Sequence, residues 1–194
     1  PGDMNWEMWL GPAPWAPYNG KRCSGSFSTS GNSWRSYIDY SGGGMTDWGA
    51  HHFGGATFAV DVRDLQPNEA VLDEIGGKKF VSLKYPNGIE ITHNKPGVGQ
   101  MHVGRDDVQR EGKEVPNYAG SGGITGDFID CVKTRAKPFR DIEYAINTMA
   151  VPHLTVIAYK LNRSLKWDAA KQQFIGDAEA DRLRTRARRE PWQI

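Results

Sequence analysis

The chain has 194 residues, with Lys+Arg 24 against Asp+Glu 23 and a formal net charge of +1. That balance offers no basic footprint for nucleic acid or an anionic membrane surface. A hydrophobic fraction of 38 % is ordinary for a globular domain. The length suits one such domain, whereas a dinucleotide-binding domain plus a substrate domain needs about 300 residues.

Residues 1–33 are rich in Pro, Gly, Ser and Trp without a period, which predicts an extended arm ahead of a single domain at 34–194. Its aromatics, Trp6, Trp9, Trp15 and Tyr18, pack on the protein or stack on a sugar face. Residues 34–40 form one short strand or helix, broken by Ser41-Gly42-Gly43-Gly44 before a helix over 46–59. Residues 58–63, 79–85 and 88–93 alternate apolar and polar side chains, the mark of half-buried strands. Pro86-Asn87-Gly88 is a hairpin turn between the last two. Residues 94–123 read as a Gly-rich exposed loop with one short strand at 100–103. A helix follows over 124–135. Then Ile142, Ala145, Ile146, Met149, Ala150, His153, Leu154, Ile157, Ala158 and Leu161 lay an apolar stripe along a long helix, with Pro152 inside it. A short helix is expected over 177–188, where the basic run 182–189 is a solvated face. The class is α+β, an open, mainly antiparallel sheet with helices on one face and the other free for a partner.

Cys23 and Cys131 lie far apart without a C-x-x-C setting and read as free thiols. No apolar run reaches the ~18 residues of a membrane span. The location reads as cytoplasmic, or periplasmic if an upstream signal peptide has been removed.

The densest chemistry is at 40–52 (YSGGGMTDWGAHH). On a helix starting near Thr46, Asp47 and His51 stand at i and i+4 and point the same way. A carboxylate beside an imidazole suits proton abstraction from a carbinol, and the preceding glycines let a ligand approach backbone N–H groups. Equally, Asp47 caps the first turn and His51 is an interior histidine. His153, on the apolar stripe, reads as a buried core residue, and Lys133, Arg135 and Lys137 as cations suited to a helix C-terminus. No spacing such as H-E-x-x-H supports a metal among Asp47, His51, His52, His93, His102 and His153.

With 5–17 (NWEMWLGPAPWAP), 127–138 (DFIDCVKTRAKP), Leu165-Lys166-Trp167-Asp168 and Arg189-Glu190-Pro191-Trp192, this cluster resembles the C-terminal half of Gfo/Idh/MocA oxidoreductases. Nearly the whole chain takes part. The resemblance implies an α+β domain whose open sheet mediates homo-oligomer contacts, and which supplies part of a sugar or cyclitol site. NAD(P) would then be held by a Rossmann domain not in this chain, or by a partner chain carrying one. None is expected on this chain alone, and neither nucleic acid nor a membrane is an expected partner. Asp47 and His51 match the family's D-x-x-x-H and are its implied catalytic pair. Tyr40, Gly43, Gly44 and His52 are the implied substrate-binding residues. The departures are equally specific. There is no strand, G-x-G-x-x-G, helix unit, since 97–102 (GVGQMH) follows a hairpin, and the family's E-K-P motif is absent. Gly54 stands where many relatives carry Asp, and Ala145-Ile146 where they carry Gly-His. Two other functions fit the same residues: a free-standing redox-neutral lyase, hydratase or epimerase on keto-sugars, and a non-catalytic partner subunit.

Overall fold

The computed structural model describes residues 2–23, 33–97, 101–104 (backbone only) and 122–192. The sheet is the α+β scaffold expected, six antiparallel-paired strands in the order β4-β3-β2-β1-β5-β6. These are β1 (Glu69–Ile75), β2 (Lys78–Lys84), β3 (Glu90–His93), β4 (Met101–Gly104), β5 (Leu165–Asp168) and β6 (Gln173–Phe174). Gly76 and Gly77, at φ of 59° and 76°, close the β1–β2 hairpin, because both central residues of such a turn need positive φ. Pro86-Asn87-Gly88 turns β2 into β3 as the sequence predicts.

Register puts Ala70 opposite Leu83, Leu72 opposite Val81, and Ile91 opposite Leu83. That face is the core, and α5 (Ile142–Leu161) packs on it through Val151, Leu154, Ile157 and Ala158. α3 (Trp48–Ala59) packs against α5 and contributes the fully buried Phe53. On the opposite face Phe80, Ser82 and Thr92 are also buried, with the Lys95 ammonium 5.7 Å from the Phe80 ring, so the middle of that face is not bare.

A polar bridge ties these layers together. The buried Gln66 side chain donates to Asn147 (2.9 Å) and accepts from the Trp167 indole N–H (2.8 Å) and from Gln172 (2.9 Å). Asn147 in turn donates to the Arg63 carbonyl. Loop, helix and sheet are thus joined through groups that would each be costly to leave unpaired.

Several expectations are corrected. The arm is not uniformly extended, since α1 (Trp6–Leu10) starts where Asn5 caps Met8 N–H, and α2 (Gly20–Cys23) follows. Three of its four aromatics pack on one another and on the domain, Trp6 stacking on Trp9, Tyr18 meeting Trp6 edge-on and Trp9 meeting Tyr40, while Trp15 is exposed. Arg189 clamps the arm to the C-terminal tail through the Ala13 and Glu7 carbonyls and the Glu7 carboxylate. Residues 34–36 are a 3-10 turn. Residues 58–63 are not a strand. α3 continues to Ala59, and Asp61 at φ 54° turns the chain out. α4 (Gly123–Thr134) forms as read, whereas α6 (Ala178–Arg182) is a single turn, capped by Asp177. Most of the predicted 94–123 loop lies outside the described residues.

The apolar stripe of α5 is also rotated from the one predicted. Thr148, Val151, Thr155 and Ala158 are buried, while Ile142 and Ile146 are 72 % and 48 % exposed. Threonine counts as polar in a periodicity reading, yet Thr155 buries its hydroxyl at no loss by donating to the Val151 carbonyl (2.9 Å). His153 is exposed, not a core residue.

Candidate active site

α3 is a poor helix by propensity, with Gly49, Gly54 and Gly55 inside it. Packing of Phe53 and Thr57, both buried, holds it in place. The glycine turn before it is demanded by geometry: a Cβ on Gly42 would stand 2.4 Å from Thr46 Cγ2, and Gly43 sits at φ 73°. That turn sets Asp47 at the helix N-cap, but its carboxylate does not cap. It accepts from Arg35 Nε at 2.6 Å instead.

Between α3 and the first half of α5 lies a cleft of about 490 Å³. His51, Gly54, Gly55 and Phe58 line one wall, and Arg140, Asp141 and Tyr144 line the other. The two glycines keep the α3 wall low. A Cβ on Gly55 would meet nothing within 4 Å, and one on Gly54 would touch Thr148 Cγ2 at 3.5 Å. Thr148 forms the floor, with its hydroxyl buried and without a hydrogen-bond partner.

Of the six residues singled out from sequence, His51 alone lines this cleft among the described residues. Its ring is exposed and lies 5.9 Å from the Trp48 ring. Asp47 is one turn away, and no hydrogen bond joins the two side chains; the carboxylate is held by Arg35. Tyr40 is committed to the aromatic arm, where its hydroxyl accepts from Arg22 (3.1 Å) and its ring meets Trp9. Gly43 and Gly44 form the turn ahead of α3, and His52 points elsewhere as an exposed residue. The interior reading of His51 is therefore wrong, and the capping reading of Asp47 is half right: it has the position without the bond.

The opposite wall was missed. Asp141 caps α5 by accepting from Tyr144 N–H (2.8 Å) and pairs with Lys137 (2.9 Å), which together hold its carboxyl below the usual range. Lys137 also binds Glu143 at 2.6 Å, so its ammonium is held above its ordinary pKa. The only local signal was the acidic cap itself, Asp141 ahead of an apolar helix. That α5 would face α3 across some ninety positions is not written in either segment.

A second, apolar cleft of about 340 Å³ lies between α5 and the tail, where His153 sits with Met149, Trp167, Phe174 and Leu183. The crowded rim, helped by Arg186, holds His153 below its ordinary pKa. Among the described residues no three His, Cys, Asp or Glu side chains gather as a metal site. No described helix is long and apolar enough to cross a membrane.

No curated protein matches the chain. A family model described as the oxidoreductase family, C-terminal alpha/beta domain, matches residues 1–194. With the antiparallel sheet and the glycine turn leading into α3, that full-length match shows that the chain belongs to the Gfo/Idh/MocA oxidoreductase family, as its C-terminal domain.

Proposed function

We propose that this chain is the substrate-binding half of a sugar or cyclitol dehydrogenase, and that the cleft between α3 and α5 receives the substrate. The observation that carries this reading is His51, an exposed imidazole on the wall of a concave site just past a glycine turn. In the family's reaction a nicotinamide exchanges hydride with the substrate. The described residues do not fit a dinucleotide: their strand pairs are all antiparallel, and the glycine turn follows no strand. NAD(P) therefore belongs to a Rossmann domain outside this sequence.

What this chain contributes is proton chemistry and placement. His51 exchanges the proton of the substrate hydroxyl, a task suited to an imidazole because its ring nitrogens both donate and accept protons. Asp47, fixed by Arg35, accepts a hydrogen bond from a neighbouring substrate hydroxyl or from His51 once substrate closes the gap. Tyr40, Gly43, Gly44 and His52 shape the approach. Exposed apolar side chains beside the cleft support a covering domain. Ile124, Phe128 and Ile142 line a depression that shares Arg140 and Asp141 with the His51 cleft. The open sheet, outside the covered middle of its face away from α5, is the proposed homo-oligomer contact.

NAD(P)H fluorescence tests the division of labour. The chain alone gives no saturable binding, and the chain joined to its Rossmann domain gives it. In the joined enzyme Asp47→Asn lowers turnover about tenfold or more; unchanged turnover refutes the assignment. A redox-neutral reaction on keto-sugars is the second reading, since it uses the same Asp47 and His51 and needs no dinucleotide. Turnover of a 3-keto sugar without NAD(P), lost in His51→Ala, selects it.

A further inference from the structure

Arg140 stands on the cleft wall opposite His51 and has no described carboxylate within ion-pair distance. The surrounding charges are matched among themselves. Lys137 takes Asp141 and Glu143, and Arg63 takes Asp61 at 3.0 Å. The Arg140 guanidinium instead lies against aromatic rings, 5.4 Å from the centre of Phe58 and 5.9 Å from that of Tyr144. Phe58 belongs to α3 and Tyr144 to α5, so the side chain spans the mouth of the cleft where the two helices meet. The guanidinium is thus an exposed cation beside two rings with no described carboxylate of its own, the kind of group that binds a planar or tetrahedral anion in bidentate fashion.

We infer that the substrate taken by this cleft is anionic, a sugar or cyclitol bearing a carboxylate or phosphate that Arg140 binds while a carbinol faces His51. The inference rests on the reading of the cleft as the substrate site and adds the charge of its ligand. Arg140 acts as a specificity-determining residue and takes no part in proton transfer.

The test is an NMR titration of the full-length enzyme with D-glucose, D-glucuronate and D-glucose 6-phosphate, following the amides of Gly54, Gly55 and Ala145. At least one anionic sugar binds about ten- to a hundredfold tighter than glucose, the range of a charged hydrogen-bond pair. Glucuronate ahead identifies a carboxylate, and the phosphate ahead identifies a phosphate. Arg140→Gln abolishes the advantage and Arg140→Lys keeps part of it, with the melting temperature unchanged because the residue is exposed. Shifts at these amides with no anionic advantage, or an advantage that survives Arg140→Gln, overturn the inference and leave the cleft reading intact. No shift there with any of the three sugars overturns the cleft reading, and the inference falls with it.

Discussion

In the C-terminal half of α5, Leu154, Ile157 and Ala158 are buried in the core, whereas in its N-terminal half Ile142 and Ile146 are exposed and Tyr144 and Ala145 line a cleft. One helix thus serves as a wall of the core at one end and a wall of the candidate site at the other. Apolar side chains run through both halves, so composition does not separate them. What separates them is the neighbour: the sheet beneath the second half, and the glycine-bearing α3 beside the first. Pro152 marks the change. It is fully buried, and the unpartnered Thr148 hydroxyl lies one turn before it.

The widest break between the two halves comes from truncation. Leu154→Ala removes a side chain only 3 % exposed and costs about 3 kcal/mol in chemical denaturation, while Ile142→Ala, at 72 % exposure, changes stability by less than about 0.5 kcal/mol. Equal losses would mean that the first half is packed as tightly as the second. The polar bridge gives the next effect. Gln66→Leu strands the Trp167 indole N–H and Asn147 and lowers stability by about 2 kcal/mol, whereas Lys171→Ala, an exposed surface pair, changes it by under about 0.5 kcal/mol.

The smallest effect is in pH. Partial burial beneath Phe53 and the Tyr159 ring holds His93 below its ordinary pKa, with Nδ1 3.0 Å from the Tyr159 hydroxyl. Its folded form resists protonation while the unfolded chain accepts it. Stability is therefore full above about pH 6.5, declines as pH falls, and levels once pH passes the depressed folded value. His93→Gln removes its share of this decline in denaturation midpoints measured between about pH 7 and 5, leaving the share of His153. Asp141 and Asp177 are held low by their hydrogen bonds and partners, so their share is lost only below about pH 4.

How much of this was legible follows from how local each signal is. β2, β3, α4 and the span of α5 are written in alternation, a Pro-Asn-Gly turn and a 3.6 period, and they stand where those patterns place them. β1 was missed because its apolar residues Ala70, Val71 and Leu72 run together instead of alternating, although Gly76-Gly77 after it is itself a hairpin signal. β5 and β6 are too short for a period and exist through pairing with β1 and with each other. In the candidate site, one wall was readable because Asp47 and His51 lie within a single helical turn of each other. The other wall was not, because Arg140 and Tyr144 reach His51 only through tertiary packing of α5 on α3. That Asp47 is held by Arg35, twelve positions earlier, was not legible for the same reason: the contact is made by the turn and not by the i, i+4 spacing.

The most direct test of the central claim is turnover by the complete enzyme carrying His51→Ala, with its melting temperature recorded alongside. Loss of a proton-transfer group at an exposed position predicts a fall in kcat of about a hundredfold or more with no change in melting temperature. Turnover equal to that of the unaltered enzyme would contradict the placement of substrate between α3 and α5.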